Sequence, residues 1–404
     1  MKVALKNIGR TLAPILAAGL LGALGCREDA ESPTAPEVTP ALSAASVPLS
    51  FRQVSAGAYH TCGVTFNNRA YCWGEAALGA LGNGDKSSTF QVRPVPVQTT
   101  LRFLLVSAGT SYACGLTTQN RAYCWGVNLS GELGDGTTTN RYTPVAVLGG
   151  RSFRHVRAGF RHTCAVNFSD VAFCWGQNDS GQLGDGTTTR RLAPVRVAGG
   201  LSFQRVIAGG NHTCGVATNN RGYCWGSNVE GQLGDGTRNI RLKPVLVLGG
   251  HSFRNVVAGG LHSCGVTTSD QAFCWGRNTD GQLGDGTPTQ RLTPRAVVGG
   301  IQFSGITAGG RHTCGVTPGN LVYCWGFNFY GQLGDGLTNP SWTPVAVSGG
   351  LHFSAVITGS HGNHTCAVTP GDRAYCWGRN GGGQLGDGTQ TRRLVPVAVL
   401  GPSS

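Results

Sequence analysis

The sequence predicts an all-β chain folded as a seven-bladed β-propeller, with four short antiparallel strands and one disulfide per blade. Three observations lead there. A phrase made of Gly-x-x-His-Thr-Cys, a short turn, Tyr/Phe-Cys-Trp-Gly and Gly-Gln-Leu-Gly-Asp-Gly-Thr returns seven times with small variations. Its second cysteines set a period of 50 residues, stretched to 52 at the first and last steps. The 65 glycines follow no collagen triplet and supply the many tight turns that need φ > 0. A unit this long with several short strands cannot bury both faces of its own small sheet, so copies must stack, and radial stacking of seven closes a ring.

The elements follow in chain order. Lys2, Lys6 and Arg10 precede an apolar run from Thr11 to Leu24 that ends in Ala23-Leu24-Gly25-Cys26. Residues 1–25 read as an export signal, with a run too short to span a membrane comfortably. Small residues before Cys26 resemble a bacterial lipobox, in which the cysteine becomes the lipidated first residue, although Ala23 stands where the motif usually has Leu. Residues 26–48, rich in Pro, Ala, Ser, Thr and Glu, then form a flexible linker. Residues 49–404 are the propeller. Its third copy shows the strands as Phe153 to Ala158, His162 to Asn167, Val171 to Trp175 and Pro194 to Val197, separated by Gly, Asn, Asp and Thr clusters. All seven copies are complete, so the pattern does not say which strand closes the ring.

Fifteen cysteines are Cys26 plus seven pairs, each pair ten positions apart. A hairpin centred between the two members places them opposite one another, within reach of a disulfide. The expected bridges are Cys62–Cys72, Cys114–Cys124, Cys164–Cys174, Cys214–Cys224, Cys264–Cys274, Cys314–Cys324 and Cys366–Cys376, each contributing about 2–3 kcal/mol by loop entropy. Such bridges fit an exported protein. Metal binding by these cysteines is disfavoured, because no Cys-x-x-Cys occurs and two thiolates per blade make half a zinc site.

Gly-x-x-His-Thr-Cys-Gly-Val-Thr, Tyr-Cys-Trp-Gly-x-Asn-x-x-Gly-Gln-Leu-Gly-Asp-Gly-Thr and Pro-Val-x-Val resemble the regulator of chromosome condensation repeat over nearly all of the chain beyond residue 50. The resemblance implies a seven-bladed propeller that binds proteins through a face or rim, and implies no common chemistry. Relatives of this type include nuclear exchange factors, a plant photoreceptor and secreted hydrolase inhibitors. Exchange activity conflicts with an export signal and disulfides. Photoreception conflicts with Ala58, Thr110, Phe160, Gly210, Gly260, Gly310 and His361 at the position where that relative carries tryptophan.

Other repeated residues read as structural. His60, His162, His212, His262, His312 and His364 share one position, with Tyr112 in the second copy; on separate blades they cannot converge at the roughly 2 Å that zinc requires. Each is expected to bond the backbone of a neighbouring loop. The seven repeated tryptophans, Trp73 to Trp377, should pack between blades. Asp135, Asp185, Asp235, Asp285, Asp335 and Asp387 sit in Gly-Asp-Gly turns, with an arginine six positions later in five of these six copies. One carboxylate per turn is too few for calcium, so these aspartates should bond backbone amides and pair with the arginines. No metal or cofactor is expected.

Specificity should lie where the repeats differ. Tyr59, Ser111, Arg161, Asn211, Leu261, Arg311 and Asn363 precede the repeated histidine or its replacement, and Phe160 and His361 adjoin them. These residues should share one face around the channel and form the partner-binding set. Val127, Leu129, Val229, Phe327, Phe329 and Tyr330, which follow Trp-Gly, form a second variable set. From residue 51 onward, 28 Lys and Arg stand against 15 Asp and Glu, a net +13 that attracts anionic partners. Export makes nucleic acid an unsuitable ligand and anionic envelope polymers a suitable one. No Gly-x-Ser-x-Gly, His-Glu-x-x-His, phosphate-loop or dinucleotide motif is present. The sequence reading is therefore a monomeric, non-enzymatic, extracytoplasmic protein-binding scaffold, attached to a membrane only through its lipid or, as the alternative, secreted with a free thiol at Cys26. Its alternatives are an envelope carbohydrate or polyanion binder, or an inhibitor of a secreted hydrolase.

Overall fold

A computed structural model describes residues 49–402 apart from Ser88. The predicted signal segment 1–25, Cys26 and the linker to residue 48 lie outside the described residues. The first blade consists of β1 (Phe51–Ala56), β2 (His60–Thr65), β3 (Ala70–Gly74) and β4 (Gln91–Pro96), hydrogen-bonded in that order and antiparallel throughout. Six further blades repeat the pattern over residues 103–146, 153–196, 203–246, 253–296, 305–346 and 355–398. Every blade uses four consecutive strands, so no strand is exchanged at the closure. The ring closes by packing of β1 against Ala355–Thr358 and His364–Val368 of blade 7. There the Phe51 amide donates to the Asp372 carbonyl at 2.9 Å.

The third copy shows how sequence becomes blade. Its first two strands run Phe153–Ala158 and His162–Asn167, as expected. The third runs Ala172–Gly176, one residue later than expected, and the fourth runs Arg191–Arg196, starting three residues earlier. That early start has a cause: Gly176 pairs with Arg191 and Cys174 with Val195, so the fourth strand carries extra residues opposite Trp175. Pro194 sits in this irregularity on the outer edge strand, where no partner needs its missing N–H. The turn between the second and third strands places Asp170 at φ 61°, a left-handed position that Asn or Asp fills in every blade.

That turn puts Cys164 directly opposite Cys174. All seven expected disulfides form, with Cα–Cα separations of 4.0–4.1 Å. Each tryptophan packs against the disulfide of the preceding blade: Trp225 lies with Cys164, Cys174, Leu183 and Phe203. All seven tryptophans are fully buried, which confirms their expected place between blades. Gly184, at φ 69°, touches this ring so closely that a Cβ would lie 2.6 Å from Trp225 Nε1.

Polar groups join the same seam. Thr213 Oγ1 donates to the Gln182 carbonyl at 2.8 Å, and Trp225 Nε1 donates to that carbonyl at 3.0 Å. His162 Nε2 lies 2.8 Å from Thr213 Oγ1. Because the hydroxyl proton is committed to the carbonyl, the imidazole must be the donor. For His162, His212, His262, His312 and His364 this corrects the expectation of a bond to a loop backbone. The nearby backbone groups already pair with one another, as in Gly209 N–H to His212 O, so the free acceptor is the next blade's hydroxyl. Burial drives the imidazoles of His162, His212, His262, His312 and His364 down to about 3 and that of His60 to about 4.

The turn aspartates behave as expected. Arg141 pairs with Asp135 at 2.7 Å, and the same ion pair recurs at Arg191–Asp185, Arg241–Asp235, Arg291–Asp285 and Arg393–Asp387. Burial pushes the Asp135 carboxyl up, but bonds from Thr137 and Arg141 outweigh it and hold the group below the ordinary carboxylate range. These pairs therefore neutralise five of the repeated arginines.

Candidate functional site

The two variable sets belong to one surface. In every blade the carbonyl of the residue before the histidine position accepts the amide of the residue after Trp-Gly, as in Arg161 O with Gln177 N–H (2.8 Å) and Arg311 O with Phe327 N–H (2.9 Å). Each blade thus presents a pair of adjacent variable loops at the same end of the ring. Leu129, Val229 and Phe329, in equivalent places on blades 2, 4 and 6, are 57%, 56% and 59% exposed.

Blades 6, 7 and 1 concentrate aromatic and cationic side chains there. Phe327, Phe329 and Tyr330 form a cluster in which the Phe329 and Tyr330 rings meet edge-on at 5.1 Å. The Arg311 guanidinium lies 4.3 Å from the Phe327 ring centre and holds both oxygens of Asp280, at 2.9 and 2.6 Å. Arg379 lies 5.6 Å from the rings of both Tyr330 and Tyr59, and so links blade 7 to its neighbours. A recess of about 240 Å³ beside it is lined by Tyr59, Glu75, Phe90, Arg379 and Gln384. Such cation–π contacts fix long arginine side chains in place, which lowers the entropy lost when a partner docks. Arg379 is not among the residues expected from the sequence, although it follows Trp-Gly as Phe327 does.

The other candidate residues are distributed around the ring. Arg161 is exposed, with its guanidinium 5.1 Å from the Phe160 ring centre, while Ser111, Asn211, Leu261 and Asn363 are half-buried. Phe160 and His361 face each other rather than solvent, stacked with ring centres 4.3 Å apart. The segment carrying His361 crosses the channel mouth. From blade 7 it reaches Phe160 of blade 3 and passes against Gly210, Gly260 and Gly310 of blades 4, 5 and 6. A Cβ on Gly210 would lie 2.4 Å from the Gly260 carbonyl and 2.9 Å from the His361 ring. Backbone bonds run around the same mouth, including Phe160 N–H to Gly209 O and Gly210 N–H to Gly259 O, each at 3.0 Å. Phe160, Gly210, Gly260, Gly310 and His361 therefore build a cover over this end of the channel.

Seven blades around a covered channel, with variable loop pairs on one face, define a propeller binding scaffold. A family profile of the RCC1-like domain matches residues 15–361, and one of the regulator of chromosome condensation (RCC1) repeat matches residues 372–404. The chain belongs to the RCC1-like domain family. It is 31% identical over 116 residues to the human probable E3 ubiquitin-protein ligase HERC6, a stretch covering 28% of this chain and 11% of that protein. It is 31% identical over 84 residues to the ultraviolet-B receptor UVR8 of Arabidopsis thaliana, covering 20% of this chain and 19% of the receptor. Human WBSCR16 has a similar structure, with a TM-score of 0.71 at 20% identity over 77% of this chain and 85% of that one. Prp20p of Saccharomyces cerevisiae, described with its binding properties to Gsp1p and histones, gives a TM-score of 0.67 at 20% identity over 76% and 80%. At these identities the structural likeness shows the fold.

Proposed function

We propose that this chain is an exported, lipid-anchored, non-enzymatic scaffold that binds a protein partner on the face carrying the paired variable loops. The observation that carries this reading is the cluster of Tyr59, Arg311, Phe327, Phe329, Tyr330 and Arg379. Exposed and half-buried aromatics held by arginines on a rigid ring have the composition of an interface hot spot. Arg161, Ser111, Asn211, Leu261 and Asn363 extend the surface around the ring, and Phe160 and His361 brace it at the centre. Seven disulfides suit an oxidising compartment. Among the described residues no helix is long and apolar enough to cross a membrane. Membrane attachment in this proposal runs through lipid on Cys26 and the linker to residue 48. Protein binding by Prp20p supports the reading by analogy.

The basic surplus of +13 favours a second reading, binding of an anionic envelope polymer. One experiment separates the two. Full-length protein isolated from membranes serves as bait for envelope extract, beside a Tyr59→Ala, Arg311→Ala, Phe329→Ala variant. A defined protein that binds saturably, tolerates about 0.3 M salt and loses about 30-fold or more in affinity with the variant supports the scaffold. Equal capture of anionic material by both forms, released by that salt, rejects it in favour of the polymer. The intact mass of the same preparation checks the anchor: a chain beginning at a diacylglyceryl Cys26 supports it, and an unmodified Cys26 removes it from the proposal.

A further inference from the structure

The innermost strands alternate between residues that pack into the blades and residues that face the channel. Two inward layers result. The layer next to the cover contains Ser55, Ser107, Arg157, Ile207, Val257, Thr307 and Ile357, and the next layer contains Gln53, Leu105, His155, Arg205 and Asn255. Most polar members have structural work. Ser55 Oγ accepts the Ala108 amide and Ser107 Oγ the Ala158 amide, each at 3.0 Å, and Gln53 both accepts from and donates to Val106. These side chains tie one blade to the next.

Arg157 and His155 do no such work, and Arg205 reaches the next blade only through one long contact. Arg157 makes a single 3.3 Å bond, to the Val156 carbonyl on its own strand, and Arg205 a single 3.4 Å contact with Asn255 Oδ1. Among the described residues neither has an ion-pair partner, and no Asp or Glu lines the channel. Two guanidiniums and an imidazole from adjacent blades 3 and 4 therefore crowd one side of a channel of about 360 Å³. Burial, and then the charge of Arg205, lowers the Arg157 guanidinium to about 10, so it remains charged at neutral pH. Burial, then Arg157, Arg205 and Arg154, lowers His155 to about 4 and keeps it neutral. Half-buried like charges with most of their donors uncommitted repel one another and are stabilised when an anion joins them.

We propose that the central channel is a binding site for a small multivalent anion bearing phosphate or carboxylate oxygens, held by Arg157 and Arg205 with His155 and Asn255 beside them. The cover of Phe160 and His361 closes one end, so the ligand enters from the other. Guanidinium forks suit paired oxygens, and the volume is at the lower end of the range for small-molecule sites, about 300–1,000 Å³. A single isolated arginine would read as snorkelling surface charge. Two on adjacent blades, without ion-pair partners and facing inward, favour a counter-charge.

The test uses the full-length chain at fixed ionic strength, titrated with inorganic phosphate and separately with citrate by calorimetry, with melting temperature as the second readout. The variants are Arg157→Gln, Arg205→Gln and the double substitution, with exposed Arg196→Gln on an outer strand as the control. The expected result is one-to-one binding of at least one anion, weakened tenfold or more by each channel variant and unchanged by the control. Anion-free Arg157→Gln should melt no lower than the wild type, because it removes a repelled charge, and its melting point should stop responding to the anion. Binding of phosphate alone or citrate alone assigns the oxygen chemistry. Absence of binding for both, or equal binding by wild type and the double variant, overturns the proposal.

Discussion

Two seams of the same ring are built from different chemistry. Between blades 3 and 4, His162, Thr213, the Gln182 carbonyl and Trp225 form a closed polar set. Between blades 1 and 2 that set is missing. Ala113 stands where the threonine should be, so His60 has no hydroxyl to meet, and Trp125 Nε1 has no partner although the equivalent residue, Ala80, keeps its backbone carbonyl. Both seams nevertheless bury the tryptophan completely over the preceding disulfide. Apolar packing therefore assembles the ring and, by burying an imidazole in both seams, sets its dependence on pH, while the polar set adds stability.

The largest expected effect is acid destabilisation. The six repeated histidines have folded-state values of about 3–4 against an ordinary 6.5. Between these limits the unfolded chain binds more protons, so stability is complete above about pH 6.5 and is lost as pH falls toward 3. The melting temperature should fall progressively from pH 7 to 4 with bridges intact. A melting temperature constant over that interval would show that the imidazoles are not held neutral. Glu132 opposes the trend. It replaces the repeated glutamine at the seam between blades 2 and 3, is 1% exposed, and is raised by burial to about 7.

Glu132→Gln should therefore stabilise the protein most at high pH. A carboxyl raised in the folded state contributes stability that is full below its ordinary 4.5 and lost as pH rises through 7. At pH 8 the substitution removes a buried charge, for a gain on the order of 2–3 kcal/mol, while at pH 5 the gain should nearly vanish. The seam's backbone bonds survive, because Thr163 Oγ1 and Trp175 Nε1 both donate to the carbonyl of residue 132 rather than its side chain. Denaturant unfolding at the two pH values checks this, and an equal effect at both would place the carboxyl at an ordinary value.

Much of this was legible because the period is long and repeated: seven aligned copies expose the strand pattern, the cysteine register and the Asp–Arg turns without reference to three dimensions. Three features were not. Closure by packing of β1 on blade 7 leaves no mark in a sequence whose copies are all complete. The fourth strand begins at Arg191 rather than Pro194, because a residue spent on a turn ion pair also pairs with Gly176. The channel triad was visible as His155 and Arg157 flanking buried Val156. Deciding which face of that strand looks inward needs the ring, and only the ring brings Arg205 beside them.

The contribution of the seam hydroxyl is smaller still and can be measured in both directions. Thr213→Val keeps the shape of the intact seam but removes the hydroxyl, stranding His162 Nε2 and one bond to the Gln182 carbonyl, and should cost about 1–3 kcal/mol. Ala113→Thr offers the incomplete seam a hydroxyl for His60 and should add about 1 kcal/mol. That gain is smaller than the loss because Trp125 Nε1 finds no carbonyl here, so only half of the set can be rebuilt. Urea unfolding of both variants with unchanged m-values measures the pair. If Ala113→Thr is neutral while Thr213→Val is costly, the histidine–hydroxyl bond is worth little, and the stabilising element of the intact seam is the shared carbonyl.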